Sequence, residues 1–445
     1  MRALPVLITA LLVPVAAVGA VGGFGGTTHT DPAEPPPQAV ADEPVVAQTE
    51  GNGSLRQINV LGVSQPRVER SSVESHYVDL GSGVGLSTNA TTDRLQTLAM
   101  VERVEAAETT TERRERLRAA FRSFEADVED LDRRQTTAIR AYSRNEIGAQ
   151  KLLVTLVRIS AVAEEFNTRR ARLEALAAET PGIELNRGRL ASIGNRLSAF
   201  TGPVRSHAAT VLRGGAGPTR FYLATGAESI TMTAIVDGEY LRESYRGDLR
   251  NGGGDAIELE VALDIVAASY PIIWNTTREQ TQVFGGGGTH PVRIAHSRGD
   301  LTAFVDSDAR VLYAEHQRRP LDSVVTDNRF ERSDNGIRLS ANHTYPGGPV
   351  LIQAVDESTG EPVDADVSVA VGSGEATSIG ATGDDGSLWT LSPNRQYTIV
   401  VETLGESVEL VIVPGATPGV ERVTASGGTG QTGNTPAAMP TASAG

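Results

Sequence analysis

The chain has 445 residues, a formal net charge of −15 and no cysteine. A single hydrophobic core rarely grows beyond about 250–300 residues, so this length predicts two or three domains. The acidic excess argues against nucleic acid as a partner, and the lack of cysteine excludes disulfides, thiolate metal sites and cysteine nucleophiles.

Lysine is nearly missing from the chain, since Lys151 is its only lysine and the other basic residues are arginines. This combination with an acidic excess is typical of proteins from salt-loving archaea, where concentrated salt screens the repulsion of a highly charged surface. A GC-rich genome also favours arginine over lysine, and this alternative stays open.

The N-terminus has the pattern of a secretory signal. Residues 1–21 join a positive start, Met1-Arg2, to an apolar run that ends near the small residues Val18-Gly19-Ala20. This pattern predicts a signal peptide that is removed, although the run approaches the ~20 residues of an uncleaved membrane anchor. Residues 22–54 are rich in proline, alanine and acidic residues and are predicted to form a disordered linker.

Residues 55–215 are predicted to form a helical bundle around a long charged hairpin. Two runs between Thr111 and Glu179 place apolar or small residues mostly at alternating steps of four and three, the spacing of a coiled-coil seam. The seam positions are Leu117, Phe121, Phe124, Val128, Leu131, Gln135, Ala138 and Tyr142, then Ala149, Leu152, Leu156, Ile159, Ala163, Phe166 and Leu173. A third amphipathic helix at residues 187–213 can cover this seam, which favours an intramolecular bundle and a monomer.

The segment that precedes the hairpin is predicted to contain short extended pieces and one helix. Residues 57–63 and 76–80 have the composition of strands. The glycines at residues 81–85 are interpreted as a turn, because the spacing of a dinucleotide-binding loop is incomplete. A helix is expected to begin after the capping residues at 89–93.

Residues 216–322 are predicted to form an α+β module with an antiparallel sheet. Alternation predicts strands at 219–224, 229–236, 239–245, 291–296, 301–306 and 311–316. Asp237-Gly238 joins two of these strands and is a strong hairpin signal. A helix is predicted at residues 257–270.

Residues 328–414 are predicted to form an Ig-like β-sandwich, because they alternate regularly between turns. The predicted strands lie at 350–356, 363–371, 388–391, 397–403 and 408–413. Residues 415–445 are predicted to be a disordered tail. The predicted fold class is therefore multi-domain α+β, with an antiparallel helical hairpin or bundle, an antiparallel-sheet α+β module and a C-terminal β-sandwich.

No pattern in the sequence predicts a catalytic, cofactor-binding or metal-binding residue. The seven histidines lack metal-ligand spacing, and nucleotide-binding, serine-hydrolase and zinc-protease motifs do not occur. Aspartates could hold calcium on the sandwich, although turn and surface roles are the simpler interpretation. These aspartates are Asp364, Asp366, Asp384 and Asp385.

Four sequons mark possible N-glycosylation sites, which a secretory signal makes more plausible. They are Asn52, Asn89, Asn275 and Asn342.

The C-terminal segment EPVDADVSVAV…GATGDDGSLWTLSPNRQYTIVV resembles carboxypeptidase-regulatory-like and Ig-like surface domains. The matching positions are Gly360, Ala365, Asp385, Gly386 and Tyr397. Such domains scaffold or bind, so the resemblance implies no catalytic residues. The wider order of motifs, including FTGPVR and PTRFYLATG, resembles an uncharacterised family of secreted haloarchaeal proteins. LTAFVDSDARVLYAEHQ resembles more weakly the closing strands of PepSY-type modules, which are linked to peptidase regulation.

These patterns predict an exported, non-enzymatic protein of the cell surface or extracellular space, with a structural or binding role. An envelope protein or a glycan is the expected partner, and a membrane is a partner only if the N-terminal segment is uncleaved. The alternative is a peptidase-associated regulator or a hydrolase whose site lies in the central module. In a hydrolase, His290, His296 or His316 would meet an aspartate or serine in one cleft. A regulator or sensor held by an uncleaved N-terminus is a third possibility.

Overall fold

The computed structural model describes residues 57–183, 187–252, 256–277, 280–285, 287–326 and 328–420. The predicted signal peptide, linker and most of the tail lie outside these ranges. The helices are α1 (Leu80–Glu105), α2 (Thr110–Ser143), α3 (Ala149–Ala178), α4 (Arg187–Ser198), α5 (Pro203–Leu212), α6 (Leu259–Ser269) and α7 (Pro271–Thr277). Within the described residues, no helix has the length and apolarity needed to span a bilayer.

Apart from β1, which precedes α1, the strands follow the predicted order of a helical part and then two β-containing modules. Those of the central sheet are β1 (Arg70–His76), β2 (Thr219–Thr225), β3 (Ser229–Val236), β4 (Glu239–Arg246), β5 (Thr281–Val283), β6 (Thr289–His296), β7 (Gly299–Asp306) and β8 (Val311–Pro320). Those of the sandwich are β9 (Asn328–Asp334), β10 (Ile337–His343), β11 (Pro349–Asp356), β12 (Asp366–Val371), β13 (Thr377–Ala381), β14 (Ser387–Leu391), β15 (Tyr397–Glu402) and β16 (Ser407–Ile412). The predicted fold class is confirmed.

The hairpin of α2 and α3 forms as predicted. The start of α2 meets the end of α3, since the Arg113 guanidinium donates to the Thr180 hydroxyl at 3.0 Å. The Thr109 hydroxyl caps α2 by accepting the backbone N–H of Glu112 at 3.1 Å. The seam positions from Leu117 to Leu173 are buried, with Phe121 at its margin.

Three predictions for the segment before the hairpin are wrong. Helix α1 begins at Leu80 rather than after residue 89, so the glycine-containing stretch at 81–85 is helical. The Asp79 carboxylate starts it by accepting the backbone N–H of Ser82 at 3.0 Å. Gly83 lies against the backbone of Leu212, a close approach that a larger residue would disturb. The predicted strand at 76–80 is instead the end of β1 and the turn into α1.

The predicted third helix is two helices. α4 ends at Ser198 and α5 begins at Pro203, so the chain breaks at Gly202-Pro203. Proline cannot continue a helix that precedes it, but it fits the first turn of the next one.

The central sheet has eight strands in the order β1-β2-β3-β4-β8-β7-β6-β5, with antiparallel neighbours throughout. Strand β1 precedes the bundle but pairs with β2, which follows it. The five bundle helices are therefore an insertion between two paired strands. One sheet face packs on the bundle through residues such as Leu223, Met232 and Phe304. The other face packs on α6 and α7.

The C-terminal module is a sandwich of two four-stranded sheets, β14-β11-β10-β9 and β13-β12-β15-β16. Strands β9, β10 and β13 were not predicted. The loop before β11 docks on the central sheet, where the hydroxyls of Thr233 and Tyr240 donate to the Gly347 carbonyl at 2.7 and 2.9 Å. A side chain at Gly347 would meet the Tyr222 ring at 2.6 Å.

The entry and exit of the described chain lie side by side. Val60 and Gly419 form a parallel bridge. The Val60 N–H donates to the Pro418 carbonyl at 2.8 Å, and the Val420 N–H donates to the Val60 carbonyl at 3.1 Å. The segment that follows the sandwich therefore returns to the segment that precedes the sheet.

Candidate functional site in the helical bundle

A groove separates α1 from α2 above α3, and Arg169 of α3 closes it at one point. The Arg169 guanidinium donates to the Thr97 hydroxyl of α1 at 3.1 Å and to the Asp127 carboxylate of α2 at 3.0 Å. It also lies over the Phe166 ring, 4.8 Å from the centroid. This buried arginine ties three helices together, and α1 and α2 leave an open space on either side of it.

The larger space has a volume of about 1010 Å³. Its floor is apolar and comes from α3, through Ile159, Val162 and Phe166. Its walls are mainly polar and come from α1 (Asn89, Thr92, Asp93, Gln96) and α2 (Asp127, Asp130, Arg133, Arg134, Thr137). An apolar floor with a few convergent polar groups is the usual construction of a ligand site.

The second space lies on the other side of Arg169 and has a volume of about 430 Å³. Met100, Val104, Ala120 and Phe124 give it an apolar lining. The two spaces together run along the seam between α1 and α2, with the Arg169 bridge between them.

Most charged side chains of the larger space are already paired. Asp127 holds Arg169, and Asp130 forms ion pairs with Arg133 at 3.1 Å and with Arg134. Arg158 differs, because it forms no ion pair in the described ranges and its buried Nε has no hydrogen-bond partner there. A Cβ atom at Gly85 would lie 3.2 Å from this guanidinium, so the absence of a side chain at Gly85 provides the space that Arg158 occupies beside α1.

Asp93 lies opposite these arginines on α1. Burial raises the pKa of its carboxyl above the ordinary value, and the nearby charge of Arg169 offsets only part of this rise. The groove therefore offers an arginine without an acidic partner and a partly desolvated carboxyl on facing helices. These groups suit the recognition of a carboxylate and of a hydrogen-bond donor, respectively.

The three histidines of the hydrolase alternative do not come together. His290 and His296 stand at opposite ends of β6, on the sheet face that packs on α6 and α7. His290 contacts the Ser307 hydroxyl at 3.1 Å, and the Arg298 N–H donates to the Nδ1 of His296 at 3.3 Å. His316 is on the opposite face, where its ring packs edge-on against Phe304 with centroids 5.0 Å apart. No single cleft holds these histidines.

Burial lowers the pKa of both His296 and His316. The pKa of His296 falls to about 4, with the neighbouring Arg319 and Arg298 adding to the effect of burial. The pKa of His316 falls to about 3, chiefly through burial and then through Arg205. Both rings are therefore neutral at ordinary pH.

Beside His316 lies a buried ion pair that sequence reasoning missed. The Glu243 carboxylate accepts the backbone N–H of Arg205 at 2.8 Å. The Arg205 Nε lies 3.0 Å from Oε2 of the same carboxylate, without the alignment of a hydrogen bond. Burial raises the pKa of the Glu243 carboxyl, and Arg205 opposes this rise. Glu243 thus fixes the start of α5 to the sheet, a structural role for the FTGPVR motif.

A signal for this pair was present in strand β4. Arg242 and Glu243 are adjacent in the strand, so its alternation places one charged side chain on each face. Both faces are covered, by the bundle and by the α6 side, and each charge therefore needs a buried partner.

The predicted glycosylation residues have different surroundings. Asn89 is exposed on α1 at the groove, and Asn275 is exposed on α7. Asn342 is half-buried in β10, and its amide donates to the Gln353 carbonyl oxygen at 3.4 Å. Asn52 lies outside the described residues.

The aspartates considered for calcium serve loop backbone or remain on the surface. Asp364 accepts the Gly383 N–H at 2.9 Å, and Asp385 accepts the Ser387 N–H at 3.0 Å. Over the ranges that the structure describes, no three histidine, aspartate or glutamate side chains are grouped so as to hold a metal ion.

Comparison with known families assigns a description to each of the three modules. Residues 1–217 match a domain of unknown function (DUF7096), and residues 221–325 match a family of unknown function (DUF7094). Residues 329–410 match an archaeal fibronectin-III type-like domain, in agreement with the sandwich. Comparisons with curated proteins and with solved structures give no match. The chain is thus similar, in order, to a domain of unknown function, a family of unknown function and an archaeal fibronectin-III type-like domain.

Proposed function

We propose that this is an exported, non-enzymatic protein of the cell surface or extracellular space that binds a partner in the groove between α1 and α2. The observation that carries the proposal is the position of Arg158 beside an open apolar floor, with a buried Nε that has no hydrogen-bond partner among the described residues. A buried donor without a partner costs free energy, and a ligand carboxylate at this position would recover it.

The chemistry of the floor favours a peptide segment over a glycan. Ile159 and Val162 are branched aliphatic side chains, which pack against other aliphatic side chains. A segment of an envelope protein with apolar residues and a carboxylate would satisfy both the floor and Arg158. The paired charges of the walls would remain at the polar rim.

The sandwich supports a structural part of this role. At a coarse level, a fibronectin-III-like domain suggests a structural or binding function at the cell surface. Here it is held to the central sheet through Gly347. The sandwich would therefore keep a fixed position relative to the sheet and the bundle, and would not move independently on a flexible linker.

Photo-crosslinking in the native host tests the groove. A photoreactive amino acid at Thr137 stands in the wall, and one at Arg122 is exposed on the same helix outside the groove. We expect a defined envelope protein to be labelled from position 137, and this labelling to drop at least tenfold in the Arg158→Met variant. Equal labelling from both positions, or labelling that ignores Arg158→Met, would contradict the proposal.

The proposed location has its own test. Mass spectrometry of the N-terminus, in membrane and culture-medium fractions, distinguishes a cleaved signal from a retained anchor. Recovery of the chain in the cytoplasm with residues 1–21 intact would contradict export.

A further inference from the structure

A second arginine without a partner lies on the other side of the sheet. Arg319 of β8 is 2% exposed. It forms no ion pair in the described ranges, and its Nε has no hydrogen-bond partner there. The preceding residue of the strand has a different environment, because Arg318 is half exposed and lies 3.6 Å from Glu239.

The neighbours of Arg319 also present polar atoms without partners. Gln317 is two residues away on the same face and is 1% exposed, yet neither amide atom makes a hydrogen bond of ordinary geometry. Arg242 faces Gln317 across the β4–β8 pair, and its Nη1 makes no hydrogen bond of ordinary geometry to a described residue. His296 is near enough for the Arg319 charge to lower its pKa, and its Nε2 has no hydrogen-bond partner within the described part of the chain.

The sandwich covers this polar layer from above. The Tyr345 ring lies 5.7 Å from the Arg242 guanidinium, and its buried hydroxyl makes no hydrogen bond of ordinary geometry among the described residues. Tyr240 faces Arg319 across the strand pair and donates to the Gly347 carbonyl at 2.9 Å. The layer is therefore enclosed between the sheet and the docking loop.

The nearby buried acid is already engaged elsewhere. Glu315 accepts the Leu61 N–H at 2.6 Å and the Tyr270 hydroxyl, and it pairs with Arg242 at 3.2 Å. One carboxylate thus stands against two buried guanidinium groups, Arg242 and Arg319. An uncompensated buried cation is strongly unfavourable, so the layer has an excess of positive charge that requires a counter-charge.

We propose that Arg319, Arg242 and Gln317 hold a small monovalent anion, chloride in a salt medium, between the central sheet and the sandwich. The three side chains supply N–H donors from one sheet face, and the Tyr345 hydroxyl adds a donor from the sandwich. A cation is excluded by the two guanidinium charges. The enclosure by the docking loop favours a monatomic ion over a larger oxyanion.

The bound anion would join the two modules. A ligand that binds only the folded state stabilises it in proportion to the logarithm of the ligand concentration above Kd. Because donors come from both sides of the interface, the anion would favour the docked arrangement of the sandwich.

Thermal unfolding of the full chain at constant sodium concentration and ionic strength tests this site. Sodium chloride is exchanged stepwise for sodium gluconate, whose anion is too large for the layer. We expect the midpoint to rise by a few degrees as chloride replaces gluconate. The rise should be absent in Arg319→Met and present in the control Arg318→Met. An equal chloride effect in both variants would overturn the proposal.

Crystals of the unaltered protein soaked in sodium bromide provide a measurement that does not depend on the folding of a variant. We expect an anomalous peak within hydrogen-bond distance of the Arg319 and Arg242 guanidinium groups. Ordered waters alone at this position, without a bromide peak, would refute the site.

Discussion

Gly202→Ala should destabilise the protein strongly, although alanine fits the local backbone. Gly202 has φ −88° and ψ 167°, an extended conformation that any residue adopts. The added methyl would lie 2.1 Å from the carboxyl carbon of Glu243 and 2.3 Å from its Oε1. The carboxylate would have to move, and its contacts with Arg205 would break.

The size of the effect follows from the buried ion pair. Arg205 and Glu243 have side chains that are 2% and 3% exposed, so solvent cannot replace the lost contact. Breaking such a pair costs about 3–5 kcal/mol, and a partial displacement of the carboxylate should cost about 2–4 kcal/mol. The entropy that alanine removes from the unfolded chain offsets only about 0.4–1 kcal/mol of this loss.

Gly148→Ala is the matched control. Gly148 also precedes a helix, has nearly the same backbone angles, φ −78° and ψ 168°, and has no atom within 4 Å of an added methyl. Capping and chain-entropy effects are thus shared, and the difference between the two variants isolates the contact with Glu243. Chemical denaturation at high salt, monitored by far-UV circular dichroism, measures this difference in the free energy of unfolding. Equal shifts of the midpoint in both variants would contradict this prediction, as would an equal cost of Gly202→Ala in a Glu243→Ala background.

Three further predictions concern other parts of the fold. The pKa of folded His316 is about 3, so as pH falls below about 6.5 the unfolded state takes up a proton first and the folded state loses stability down to about pH 3. In His316→Gln the denaturation midpoint should depend less steeply on pH in this range, and an unchanged slope would contradict this prediction. Gly347→Ala should undock the sandwich, because its methyl would meet the Tyr222 ring at 2.6 Å. The control is Gly360→Ala, since Gly360 has the same φ of 75° but open space around an added methyl. Limited proteolysis between the sheet and the sandwich should become faster only in Gly347→Ala. Arg169→Met should cost about 1.5–3 kcal/mol through its lost charged hydrogen bonds, and hydrogen exchange should increase in α1; unchanged exchange there would show that α1 does not depend on this bridge.

The parts of the fold that were predicted correctly are those determined by residues close together in the sequence. The hairpin of α2 and α3 follows from a regular seam, and β3 with β4 follows from Asp237-Gly238. The start of α1 was missed because its glycines and serines have low helix propensity, while packing on α5 and the Asp79 cap decide the outcome.

The candidate groove was beyond sequence reasoning, since it depends on how far α1 diverges from α2. No local pattern gives that separation, which Arg169 sets by bridging residues far apart in the chain. Arg319 was equally hidden. Its burial arises only when β8 pairs with β4 and the sandwich docks over both.

The bridge between Val60 and Gly419 has a consequence for attachment. The chain enters and leaves the folded body at neighbouring points, so a tether at either end would be attached at the same position on its surface. A tether on the leading or on the trailing segment would therefore leave the same side of the folded body pointing away from the point of attachment.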